Sequence, residues 1–137
     1  MASITSRRSF LTGLVVGATV VGFDPLGRSW VSEADADTTT VIDVPPLDGE
    51  LLTDTASRDA AADDFGHIVH RRPFAVLRPG SVGDIVSMVR FANAHRIQVA
   101  ARGQGHATFG QPQVDDGLVI DMSTLSTVHH VRPDSAV

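Results

Sequence analysis

At 137 residues the chain has the length of a single domain, and with 42% hydrophobic and 20% charged residues it has the composition of a folding chain rather than a disordered one. Its net charge of -5, with the arginines scattered among 16 acids and no lysine, gives no basic stripe and argues against nucleic acid as a partner. The absence of cysteine excludes disulfides, zinc–thiolate centres and thiol catalysis within these residues.

Ser6-Arg7-Arg8-Ser9-Phe10-Leu11 precedes a moderately apolar stretch, Leu14 to Phe23, and Ala34-Asp35-Ala36 follows. That is the order of a cleaved export signal over residues 1–36. Phe10 to Phe23 is 14 residues, short of the roughly 20 that cross a bilayer, so it reads as a signal and not an anchor. Ser6 to Leu11 resembles the twin-arginine signal at each defined position of its consensus. The resemblance implies the twin-arginine translocase as a partner, a secreted or extracytoplasmic location, and a protein that folds, often around a cofactor, before it crosses. Cleavage is predicted after Ala36, with Asp37 as the new N-terminus.

Asp37 to Gly49 has no useful periodicity and reads as an extended linker, part of a linker and N-terminal segment at 37–70. Leu51 to Asp64 reads as a short helix that stops before Gly66. Within 71–137, Phe74-Ala75-Val76-Leu77 is a short apolar run closed by Arg78-Pro79-Gly80, the pattern of a buried strand. Ser81 is placed to cap a helix, with Asp84 closing a capping box, and Val82, Ile85, Val86, Val89 and Ala92 share one face as far as His95. Ile97 to Ala101 is a second strand, so strand, helix and strand form a βαβ unit with parallel strands and a right-handed crossover. Leu118 to Ile120 forms a third strand and Thr127 to Val131 a fourth. The predicted class is α+β, incomplete at the C-terminus, and the piece alone is expected to fold poorly because a sheet edge is exposed.

Ala101-Arg102-Gly103-Gln104-Gly105-His106-Ala107 follows the second strand directly, where parallel α/β units place ligands. Gly103 and Gly105 flank Gln104 and let successive backbone N–H groups turn toward one anion, as in a phosphate-binding nest. A dinucleotide fingerprint fails, because Thr108 stands at the third glycine position and Phe109 to Gly117 is loop-like, with no helix N-terminus to meet a phosphate. Taken alone, the glycine pair also fits a plain inter-strand turn.

Five strings extend the pattern: Asp64-Phe65-Gly66, Pro73 to Pro79, Arg102 to His106, Gly110-Gln111 and Val119-Ile120-Asp121-Met122. Through them the chain resembles the FAD-binding domain of the p-cresol methylhydroxylase (PCMH) and vanillyl-alcohol oxidase superfamily, and within it the cytokinin dehydrogenases. The resemblance implies the N-terminal, βαβ-containing part of a PCMH-type domain. It implies FAD along Ala101, Arg102, Gly103, Gln104, Gly105, His106 and Ala107, a further contact from Gln111, and a covalent bond from His106 to the flavin 8α carbon. Ala107 stands where such enzymes usually have serine, so a hydroxyl contact is lost, with Thr108 next to it as a replacement.

The implied activity is hydride transfer from a small organic substrate to FAD, with electrons passed to oxygen or another acceptor. If the likeness extends to substrate, the bond oxidised is an amine C–N bond in an N6-substituted adenine; the acidic base it requires is not identified in these residues, and no metal ligand is assigned. Two other readings stand beside it: a berberine-bridge-type carbohydrate or alkaloid oxidase, and a flavin-binding or flavin-free fragment without activity. His67 and His70 read as surface or linker residues, His129 and His130 as neighbours facing opposite sides of a strand, Asp115-Asp116 as a polar turn and Asp121 as a strand end.

Overall fold

Ala75, Val76 and Leu77, and again Leu118, Val119 and Ile120, are buried without alternation. Strands that bury both faces require cover on both sides. The computed structural model describes residues 20–24, 27, 29–32, 42–132 and 135–136. In chain order its elements are β1 (Val20–Asp24), β2 (Ser29–Ser32), β3 (Ile42–Asp43), β4 (Glu50–Leu52), α1 (Thr55–Ala61), β5 (Ala75–Arg78), α2 (Val82–Ala94), β6 (Val99–Arg102), β7 (Leu118–Asp121), a 3-10 turn at Met122–Thr124, β8 (Val131–Arg132) and β9 (Ser135–Ala136).

The central sheet has the order β4-β5-β7-β6. β5 and β6 both run parallel to β7, with Leu118 opposite Ala75 on one side and Val99 on the other, while β4 is antiparallel to β5. The expected βαβ unit is therefore present in split form, with β7 seated between the two strands that α2 connects. Ala75, Leu77, Leu118 and Ile120 pack with Met88, Phe91 and Ala92 of α2. Val76 and Val119 turn to the other face, against Ala61 of α1 and Val114.

α2 begins as expected, with the Ser81 hydroxyl accepting from the Asp84 N–H, but its buried face differs from the apolar stripe read in the sequence. Met88, Phe91, Ala92 and Asp84 are buried, whereas Val82 is 67% exposed and Val86 and Val89 are each 43% exposed. Two requirements turn the helix: Phe91 has more apolar surface to hide than a valine, and the Asp84 carboxylate accepts from Gly80 N at 2.8 Å, Gly49 N at 2.8 Å and Asp48 N at 2.9 Å. The stretch read as a loose linker is thereby fastened from residue 42 onward, with Ile42, Val44 and Leu47 against the core. Leu51 and Leu52 lie in β4 and not in a helix, which starts only after its Asp54 cap. Thr127 to His130 is coil, so the fourth strand is confined to Val131–Arg132.

Asp84 gives a pH prediction. Burial raises its pKa, but the N–H groups of Asp48, Gly80 and Gly49 outweigh that and hold the carboxyl below its ordinary value. A depressed folded-state pKa gives stability that is complete above the unfolded value of about 3.9 and is lost as pH falls through the folded value. At neutral pH Asp84→Asn should lower unfolding stability in the full-length protein by about 1.5–3 kcal/mol, the range for a hydrogen bond to a charged group. The deficit should shrink below about pH 4 as the wild-type carboxyl protonates; a deficit that stays constant into acid would contradict this.

The twin-arginine motif, Ala34 to Ala36 and the cleavage point lie outside the described residues. Of the expected leader, β1 and β2 form an antiparallel ribbon with β3 on the other side of β1. Phe23 of β1 is buried, with its ring centroid 5.1 Å from Trp30 and 6.2 Å from Phe91. No helix among the described residues is long and apolar enough to cross a membrane.

Candidate functional site

Because β5, β6 and β7 are parallel, their carboxyl ends, Arg78, Arg102 and Asp121, emerge at one edge of the sheet. The loop from Gly103 to Gly117 begins there. Arg78 Nε lies 3.7 Å from Asp121 Oδ2, and Asp121 also caps the 3-10 turn by accepting from Ser123 N, so this residue ends its strand as expected. The Arg102 guanidinium turns back beneath the loop and donates to the Asp63 carbonyl. It braces the chain and leaves the outer side of the loop to the backbone.

Gly105 has φ +74°, and a Cβ there would stand 2.6 Å from Arg102 Nη2. Gly103 has no such constraint: a Cβ would meet nothing within 4 Å. Only the second glycine of the pair is therefore demanded by the chain itself. The carbonyls on this turn are fixed from below, where Phe65 N donates to Gly105 O at 2.8 Å and Gly66 N to Ala107 O at 3.3 Å. A planar trans peptide sends its N–H opposite to its carbonyl. The N–H groups of His106 and Thr108 accordingly face away from Phe65 and Gly66. From Gln104 to Thr108 no backbone N–H donates to a protein acceptor among the described residues.

Asp64 was missed by the sequence reading as a functional residue. It is 3% exposed, and its carboxylate accepts from Gly66 N at 3.0 Å and Gly110 N at 2.8 Å. Gly66 sits so close to the loop that a Cβ would lie 2.1 Å from the Thr108 carbonyl oxygen. No local motif announces these contacts, since Asp64 and Gly110 are 46 residues apart; the one signal was the Asp64-Phe65-Gly66 string itself.

The remaining sequence-predicted residues lie at the end of β6 and in the loop that follows it. Ala101, Gln104 and His106 are exposed and Ala107 is half-buried. The His106 ring meets Phe65 edge-on at 6.3 Å. Gln111 is exposed, and its Oε1 accepts from Phe109 N at 3.1 Å. Phe65 and Phe109 are 71% and 62% exposed, so the loop is rimmed by apolar rings. His67 and His70 are surface residues that direct Nδ1 toward Asp63, at 2.7 Å and 3.5 Å. His129 and His130 lie in coil, and Asp115-Asp116 forms the expected turn, Asp116 with φ +50°.

Backbone donors left without a protein acceptor beside one imidazole, at the carboxyl end of parallel strands, are suited to a phosphate-bearing cofactor. Comparison with known proteins identifies it. Residues 73–137 match the FAD binding domain family. Over 90 residues the chain is 40% identical to an uncharacterised oxidoreductase of the fasciation locus of Rhodococcoides fascians, covering 66% of this chain and 20% of that protein. It is 41% identical over 92 residues to cytokinin dehydrogenase 9 of Oryza sativa subsp. japonica, covering 64% and 17%. The chain thus spans about a fifth of the length of these relatives. Among solved structures it resembles 6-hydroxy-D-nicotine oxidase from Arthrobacter nicotinovorans, with TM-score 0.56 and 28% identity over 61% of this chain and 19% of that one. It also shares the fold of a Physcomitrella patens BBE-like protein, with TM-score 0.52 and 20% identity over 61% of this chain and 19% of that one. The split βαβ sheet is that of the PCMH-type flavin-binding fold, residues 73–137 carry the match to the FAD binding domain family, and the chain is a homologue of the cytokinin dehydrogenases.

Proposed function

We propose that the protein is an exported FAD-dependent oxidoreductase of the cytokinin dehydrogenase type, in which the loop from Gly103 to His106 holds the FAD pyrophosphate and His106 carries the flavin covalently. The observation that carries this reading is the outward-facing N–H pair of His106 and Thr108, set by carbonyls tied to Phe65 and Gly66. The arrangement fits a pyrophosphate: the anion meets backbone donors, while the nearby guanidinium of Arg102 is engaged elsewhere. FAD, when bound, supplies the acceptor for a hydride from substrate and passes the electrons to oxygen or another acceptor.

The chain's own residues bind and orient. Gly105 lets the backbone turn, His106 and Thr108 present donors, Gln111 flanks the path, and Phe65 and Phe109 offer exposed apolar rings beside the loop. His106 offers an exposed ring nitrogen from the same turn and would be the residue that holds the flavin covalently. The substrate reading, an amine C–N bond in an N6-substituted adenine, rests on likeness to the cytokinin dehydrogenases. Export rests on Ser6 to Leu11. Cleavage after Ala36 would remove Phe23 and Trp30 and uncover Phe91 on α2.

Protein secreted by a host with a twin-arginine translocase should begin at Asp37, absorb visible light as a flavoprotein, and bleach anaerobically on addition of an N6-isoprenoid adenine. A colourless protein would refute the flavin reading, an unbleached yellow one the substrate class, and an uncleaved or cytoplasmic one the export.

A further inference from the structure

We infer that Asp64 is the positioning residue of the flavin loop: its buried carboxylate fixes the loop so that the donors at His106 and Thr108, and the His106 ring, are aimed before the cofactor arrives. This inference rests on the flavin reading above. A carboxylate that is 3% exposed is costly to keep unless its oxygens are satisfied, and here backbone donors do so from two directions. Gly66 N lies on the segment below the loop and Gly110 N on the loop's far side, so one side chain ties the two together. The Gly66 N–H is shared between Asp64 Oδ1 and the Ala107 carbonyl. Holding Gly66 in place therefore holds the Ala107 carbonyl, and with it the opposed N–H of Thr108.

The neighbouring residues follow from the same anchor. Phe65 N takes the Gly105 carbonyl, which turns the His106 N–H outward, and the Phe65 ring packs against the His106 ring. Glycine is required at 66 because the Thr108 carbonyl comes within 2.1 Å of where a Cβ would be. Asparagine cannot replace Asp64. It keeps one acceptor oxygen but points an amide N–H at a backbone donor, so one arm of the tie is lost and repulsive.

The test uses full-length protein and the Asp64→Asn variant, both produced free of flavin in a riboflavin-starved host and titrated with FAD. Asp64→Asn should weaken FAD binding by about tenfold to a hundredfold, the equivalent of one charge-assisted hydrogen bond. It should also slow covalent attachment at His106 and alter the visible circular dichroism of the bound flavin. A merely structural role would instead lower the unfolding temperature while leaving the flavin spectrum of the folded fraction unchanged, and that outcome overturns the inference.

A second measurement needs no variant. In flavin-free wild-type protein the amides of Gly66 and Gly110 should exchange with solvent slowly, while those of His106 and Thr108 exchange fast and slow down once FAD is added. Gly66 and Gly110 amides exchanging as fast as His106 would overturn it, even if Asp64→Asn does not fold. Wild-type protein that binds no FAD refutes the flavin reading; wild-type and Asp64→Asn proteins that bind it alike refute only the positioning.

Discussion

Alanine at position 106 should leave the native protein yellow but colourless after acid denaturation, whereas wild-type protein should keep its flavin on the denatured polypeptide. The contrast is all or none because a covalent bond survives loss of fold and a nest of N–H groups does not. His106 is exposed, so its removal takes away little packing and should change unfolding stability by less than about 0.5 kcal/mol. The outward donors belong to the backbone and persist in the variant, so FAD still binds, though gel filtration at low concentration should separate it from the variant and not from wild type. On the proposed export route the bond would also retain a cofactor that is not replaced once lost. If wild-type protein releases all its flavin on denaturation, His106 is not the anchor and the pyrophosphate loop stands without it.

Much of the fold was legible where a short pattern is enough. Ala75 to Leu77 and Leu118 to Ile120 declare buried strands by their unbroken apolar runs, and Ser81 declares a helix start because its hydroxyl can serve a donor three residues on. The order of the sheet was not legible, because a strand placed between β5 and β6 leaves their direction, and hence the pattern, unchanged. The buried face of α2 was misjudged for a related reason: the valines obey helical spacing, but the donors that hold Asp84 inside come from Asp48 and Gly49 across a long sequence gap. The site divides in the same way. Gly105 and His106 can be read from one heptapeptide, whereas the Asp64 tie to Gly110 exists only once two distant segments meet.

Gly105→Ala should both destabilise the protein and weaken its hold on FAD, and the reason can be separated into two parts by Arg102. The first is conformational. At φ +74° a non-glycine residue is strained by about 1–2 kcal/mol wherever its side chain points. The second is steric, since the new Cβ would stand 2.6 Å from Arg102 Nη2 and must push aside a guanidinium that donates to the Asp63 carbonyl. Losing that hydrogen bond to a charged group adds about 1.5–3 kcal/mol. In an Arg102→Ala background the obstacle is gone, so Gly105→Ala should there show its backbone strain alone, and a double-mutant cycle should return a coupling of about 1.5–3 kcal/mol, the hydrogen-bond contribution. Flavin content should follow a different course. Both Gly105→Ala and the double variant displace the peptide whose N–H belongs to His106, so both should bind FAD weakly although their stabilities differ. Equal destabilisation by Gly105→Ala in the two backgrounds would show that the guanidinium yields without resistance, and the brace beneath the loop would then be the Asp64 carboxylate and not Arg102.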